Sequence, residues 1–178
     1  DPSPDLLALF GLAPTSASGV SVSPATAMRS TAVRACVESI AEAVGCLPLH
    51  VYEKAASDSR ERATDHPAYA LVHDQANEWT TAAELREQIT RDALLHGDGF
   101  AIIVRDGTGR PRELQRVHPT RLEVTADEVT SEPRYKLRAP AGERTIDWRD
   151  VLHIKAPSTN GVRGDSPVEQ CREAIALN

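Results

Sequence analysis

The apolar positions change their period along the chain, and those changes divide it. Val33, Cys36, Val37, Ile40, Ala41 and Val44 fall at i, i+3, i+4, i+7, i+8 and i+11, the stripe of an amphipathic helix. Upstream, Ser23-Pro24 offers an N-cap with proline at the first helical position. Gly45 is placed to close the helix in the left-handed conformation, and Pro48 prevents its resumption. LPLHVY (47–52) reads as a short strand, the charged and small residues 54–64 as a loop, and HPAYALVHDQ (66–75) as a short helix. Thr81-x-x-Glu84 is a capping box, followed by Leu85, Ile89 and Ala93 on one helical face, with Gly97 as the stop. Beyond Gly97 the period falls to two. FAIIV (100–104) and ELQRV (113–117) flank DGTGRP as a hairpin, and RLEVT, RYKLR, RTIDW and VLHIK continue as short strands. Ser166-Pro167-Val168-Glu169 then starts a helix with Val168, Cys171, Ala174 and Ile175 on its apolar side. That helix reaches Asn178 with no stop signal, so it looks cut there.

Helices, then a strand meander, then a helix predict an α+β fold rather than alternating βαβ units. Residues 13–25, APTSASGVSVSPA, are small and polar, so residues 1–25 are expected to form a flexible N-terminal arm and 26–178 one domain. No repeat of about 20 to 50 residues is evident. A chain of 178 residues buries enough surface to fold without disulfides or metal.

Composition narrows the function. The formal net charge is −6 and the pI about 5.5, which argues against duplex nucleic acid as a high-affinity partner. Cys36, Cys46 and Cys171 form no CxxC pair and leave one odd, the pattern of a reducing compartment. No apolar run approaches the ~18 residues that span a bilayer. LLALFGLA (6–13) lacks the basic flank of a signal peptide, and a start at Asp1 is what a trimmed piece would show.

HGDGFAIIVRDGTGR (96–110) holds two Gly-x-Gly elements, the most enzyme-like feature in the chain. A phosphate site needs a strand, a glycine turn and then a helix whose N-terminal N–H groups face the anion. Here a helix leads into Gly97-Asp98-Gly99 and a strand follows. The helix end carries negative partial charge and Asp98 adds more, so both repel phosphate. Gly107 and Gly109 sit between strands. Both pairs are therefore expected to be turns. His66 and His73 are seven apart, too far for a helical zinc pair, and Cys36 and Cys46 fall on different elements. There is no G-x-S-x-G elbow and no carboxylate spacing that demands acid–base work. His118 precedes Pro119 at a strand end. His153 alternates with Leu152 and Ile154, as a packed or hydrogen-bonded strand residue does. Arg163-Gly164-Asp165 spells an adhesion tripeptide, but Gly164 as a turn and Asp165-Ser166 as a cap account for it. The loop APSTNGVRGD (156–165) is long enough to serve surface contact.

Several of these stretches together resemble a known family. V-S-P-x-x-A-M through V-R-A-C-V-E-S-I-A-E-A-V-G-C-L-P-L-H-V-Y is similar to the first block of tailed-bacteriophage portal proteins of the Hong Kong ninety-seven branch. D-H-P-A-Y-A-L-V-H, L-L-H-G-D-G-F-A-I-I-V-R-D, V-H-P-T-R-L-E-V and D-V-L-H-I-K with G-D-S-P-V-E follow in the family's order, from about Gly19 to Asn178. Asp98-Gly99-Phe100 stands where Asn-Ala-Tyr is commoner, and Gly164-Asp165 where Gly-Leu or Gly-Met is.

The resemblance implies a subunit of a ring, typically a dodecamer, at the capsid vertex. Such a ring is the conduit for DNA packaging and ejection and joins head to tail. It implies wing, stem and clip regions, with this chain largely wing. The implied partners are other copies of itself, a terminase motor, capsid or scaffold proteins, a head–tail adaptor, and double-stranded DNA that passes without sequence-specific binding. The implied location is the virion, after assembly in the bacterial host cytoplasm. No catalytic residue, cofactor, metal or membrane is expected. Two other readings stay open: an α+β enzyme centred on His153 or His118 near the 156–165 loop, and an adaptor that binds a peptide along an exposed strand edge.

Overall fold

The computed structural model of the chain describes residues 21–54 and 59–177. The expected N-terminal arm lies outside these residues except for its last few positions. Ser23 does cap a helix, its hydroxyl accepting from Thr26 N–H while the Thr26 hydroxyl accepts from Ser23 N–H at 2.7 Å. That helix, α1 (Pro24–Ala27), is a single turn. The Arg29 and Ser30 N–H groups turn back on the Thr26 and Ala27 carbonyls, which tightens the chain out of α register. The long helix α2 (Thr31–Cys46) starts afresh, so the continuous helix expected from Ser23 is corrected.

Gly45 is a second correction. It lies inside α2 rather than closing it with positive φ. A Cβ there would stand 3.2 Å from Glu87 Cβ and 3.3 Å from the Ala83 carbonyl, so glycine lets α2 approach the helix that carries them. Leu47 ends α2 in extended geometry, as the residue before a proline must. Of the strand expected at 47–52 only its last residue is strand: β1 (Tyr52–Lys54) pairs antiparallel with β2 (Arg60–Arg62), within what the composition marked as loop.

After α3 (Tyr69–His73), β3 (Gln75–Asn77) and β4 (Thr80–Thr81) comes α4 (Ala82–His96). Both halves of its capping box form: Thr81 Oγ1 accepts from Glu84 N–H, and Thr81 N–H donates to Glu84 Oε2 at 2.8 Å. Leu85, Ile89 and Ala93 are buried as the spacing predicts, and Gly97 ends the helix at φ 87°. The strands are β5 (Asp98–Arg105), β6 (Pro111–Val117), β7 (Leu122–Ala126), β8 (Pro133–Ala139), β9 (Gly142–Ile146) and β10 (Val151–Lys155).

These six strands do not make one meander. They form two antiparallel sheets, β10-β5-β6 and β7-β8-β9, because β10 returns to pair with β5 in the register His153 to Phe100. Alternation along β5 sorts the layers. Ala101 packs with Leu114, Leu71, Ala76 and the Leu85 and Ile89 side chains of α4 on one face. Phe100 packs with Val117 and with Leu122, Val124 and Tyr135 of the second sheet on the other. The order is therefore helices, central sheet, second sheet, an α+β fold as expected. The last helix is short and broken: α5 (Pro167–Gln170) gives way at Cys171 to α6 (Arg172–Ala176). Ser166 caps α5 by accepting from Glu169 N–H, and its hydroxyl donates to the Leu95 carbonyl of α4 at 2.9 Å.

Candidate functional site

Polar groups converge where α4 ends, β5 begins and the 156–165 loop returns. Asp98 is completely buried, a placement that a carboxylate tolerates only when donors surround it. Its Oδ1 accepts from the Gly164 N–H at 2.7 Å and from His153 Nε2 at 2.9 Å, and its Oδ2 accepts from Arg163 Nε at 2.9 Å. Burial pushes the Asp98 carboxyl up, but the bonds from His153, Gly164 and Arg163 outweigh it and hold the group below the ordinary carboxylate range. The other ring nitrogen, Nδ1, is hydrogen-bonded with the Tyr135 hydroxyl 3.1 Å away, so the imidazole bridges Asp98 and Tyr135. The His153 ring also lies 4.5 Å from that of Phe100, centroid to centroid.

Backbone closes the same junction. Ala156 N–H donates to the Gly97 carbonyl at 2.8 Å. A Cβ on Gly164 would stand 1.9 Å from the Gly97 oxygen, and one on Gly99 would stand 2.0 Å from the Ile89 oxygen. These glycines admit backbone against backbone, with no room left for an anion. The second pair is a turn as well: Asp106 Oδ1 accepts from the Thr108 N–H and hydroxyl and from the Arg110 N–H. The Thr108 bonds, hydroxyl first and N–H second, bring the Asp106 pKa down to about 2, so a carboxylate already occupies the centre of that loop.

The chain Asp98–His153–Tyr135 has the carboxylate–imidazole–hydroxyl order of a general-base relay. It is not arranged for one. The side chains of Asp98 and His153 are 0% and 7% exposed, and burial, then Asp98, push the Tyr135 hydroxyl upward. A substrate would need access to the hydroxyl, and Tyr135 is buried as well. His118, the other histidine named from the sequence, has separate partners: it caps the turn at Pro119–Arg121 through the Thr120 N–H and meets the His96 ring at 5.0 Å. Burial first, then His118, lower the His96 pKa. An open polar hollow of about 500 Å³ does lie beside the 156–165 loop. Five of its eight lining residues are engaged by the chain itself: Arg163 and Gly164 by Asp98, Asp165 by the Thr159 N–H and hydroxyl, Ser166 by Leu95 and Glu169. The Arg-Gly-Asp tripeptide is thus part of the fold. His66 and His73 join no metal-type cluster among the described residues. His73 instead stacks on Tyr69 and pairs with Asp74.

The sequence missed this junction's centre. It read Asp98 as a repulsive addition to a turn and Arg163 as a loop residue, yet the two meet across 65 positions. Two further anchors went unseen. Arg116 grips the buried Asp92 of α4 with Nε and Nη2, each at 2.7 Å from a carboxylate oxygen. Buried Arg86 donates to Gly45 and Val72 carbonyls at the C-terminal ends of α2 and α3, a favourable position for a cation.

The buried charged side chains of this α+β fold join neighbouring elements of the chain itself, and its junction glycines serve backbone contact. Residues 31–178 match the phage portal protein family, and the chain belongs to it. It is 26% identical to the portal protein of Enterobacteria phage HK97 over 141 residues, which are 78% of this chain and 33% of that protein. It is 28% identical to the probable portal protein of Streptomyces phage phiC31 over 178 residues, 95% of this chain and 38% of that one. A chain from the neck of an empty gene transfer agent particle, computed with C6 symmetry, shares 25% identity at a TM-score of 0.70, covering 86% of this chain and 43% of its own. The chain therefore spans about a third of the curated relatives' length.

Proposed function

We propose that this chain is the wing part of a portal subunit: copies of the longer polypeptide close into a ring at the capsid vertex, through which DNA is packaged and later ejected and to which the tail is joined. The observation that carries this reading is the family match over residues 31–178, with a similar fold in a chain from the neck of a gene transfer agent particle. The geometry suits the task. A subunit under load from moving DNA must keep its shape: Arg116 ties the central sheet to α4, Arg86 ties α4 to the ends of α2 and α3, and Asp98 ties β5 to β10 and the 156–165 loop. Partners under this reading are neighbouring copies, a terminase motor, capsid or scaffold proteins and a head–tail adaptor, with residues 1–25 as an arm on the 26–178 domain. The net charge of −6 fits a ring that lets duplex DNA slide, because a basic surface would hold phosphates by counterion release. The test is genetic. Inactivating the reading frame in its particle-producing host should leave head-sized shells empty of DNA. DNA-filled particles made without the product would overturn the proposal.

A further inference from the structure

Every residue of β1 and β2 is exposed, so no side chain of this hairpin enters the core. Glu53 stands opposite Glu61 across the pair, and like charges in that position weaken it. A two-stranded hairpin is marginal by itself, so what it leans on decides whether it stays ordered. It leans on rings. His50, two residues before β1, has its Nδ1 3.3 Å from the hydroxyl of Tyr69, the first residue of α3. Its ring centroid lies 4.8 Å from that of His73, the last residue of α3, and Tyr69 stacks on His73 at 5.0 Å. From β1, Tyr52 meets His50 edge-on at 6.3 Å. The stack suits neutral imidazoles. Around His50 stand Arg62 from β2, Tyr52 from β1, and Tyr69 and His73 from α3. His66, in the turn between β2 and α3, is turned to the Ala68 N–H. The carboxylate in this group, Asp74, is bonded to His73 Nδ1 at 2.7 Å, so it favours a proton on His73. That proton sets a cation against His50, where Arg62 already supplies one. Burial first, then Arg62 and His73, lower the His50 pKa from its ordinary value. The three rings are half-buried, so protons reach them.

We propose that the His50–Tyr69–His73 stack is a proton-sensitive joint: it docks the base of the β1–β2 hairpin on α3 while both imidazoles are neutral, and protonation of the pair undocks the hairpin with the rest of the fold left standing. The sign follows from the direction of the His50 shift. Its docked value is lowered, so docking is at full strength above the free histidine value of about 6.5 and weakens as pH falls below it. The Asp98 carboxyl stays charged through that range, so the joint and the Asp98 junction respond at separate points on the pH axis. The inference rests on contacts within this chain and not on ring assembly.

Hydrogen exchange of the full polypeptide, read by mass spectrometry and corrected for the intrinsic pH dependence of exchange, tests it. Between about pH 7.5 and 5.5, protection in the peptides covering 50–54 and 60–63 should fall severalfold. The Ala63 N–H, bonded to the Val51 carbonyl at 2.9 Å, should be among the amides released. Protection across α4 should hold. His50→Phe and His73→Phe each keep a ring in the stack and remove one titrating group, so either should abolish most of that fall. Full α4 protection at the higher pH identifies a folded variant, and one folded variant of the two suffices. Equal hairpin protection at both pH values in the parent chain would overturn the proposal. So would a fall that persists undiminished in a folded variant, or a parallel loss across α4, which would assign the effect to the whole fold.

Discussion

Asp98 shows how much a single residue can demand. Its carboxylate gave up water entirely and is repaid by donors from β10 and the 156–165 loop. Asp98→Ala leaves Arg163, His153 and the Gly164 N–H facing an empty site, and a loss of about 3–5 kcal/mol in unfolding free energy is expected from chemical denaturation. The pH dependence has a definite sign. The folded pKa is lowered, so the stability from Asp98 is fully present above the unfolded carboxylate value of about 3.9 and is lost as pH falls through the folded value. The parent should therefore lose its denaturation midpoint more steeply below about pH 4 than Asp98→Asn does. Gly164→Ala tests the backbone contact at the same junction. Its new Cβ meets the Gly97 oxygen at 1.9 Å, and since that atom is backbone the loop must move off the end of α4, at a cost of about 3 kcal/mol.

Among the elements, α4 is the hub. Its apolar face rests on the central sheet, Arg86 reaches the ends of α2 and α3, and Asp92 holds Arg116 of β6. Asp92 is 3% exposed, so breaking the pair from one side is costly. Arg116→Met should destabilise by about 3 kcal/mol or more, because it strands a buried carboxylate, and a double-mutant cycle with Asp92→Leu should recover most of that loss. What the sequence revealed about these elements follows from distance along the chain. The Thr81–Glu84 box, the Gly97 stop and the Ser166-Pro167 start are local, and all were legible. Gly45 was misread because a close helix approach and a left-handed cap call for the same residue. The return of β10 to β5, and with it the meeting of Asp98 with His153 and Arg163, leaves no periodic trace. Alternation identified His153 as a packed strand residue and could not name its partner. The split into two sheets was hidden for the same reason, since every strand alternates alike whichever neighbour it pairs with.

For the whole molecule, charge and shape carry the argument. With 20 Lys and Arg against 26 Asp and Glu, the protein should not retard duplex DNA in a native gel at physiological ionic strength, where any residual non-specific contact is screened. A stable, salt-resistant complex would mean that the surface grips what a conduit must release. The central claim is that layers this firmly joined form the wing of a ring subunit. Electron microscopy of the purified polypeptide that carries this chain, free of other phage proteins, tests it most directly. Closed rings of uniform diameter are the predicted result, and monomers and dimers alone across a wide concentration range would contradict it.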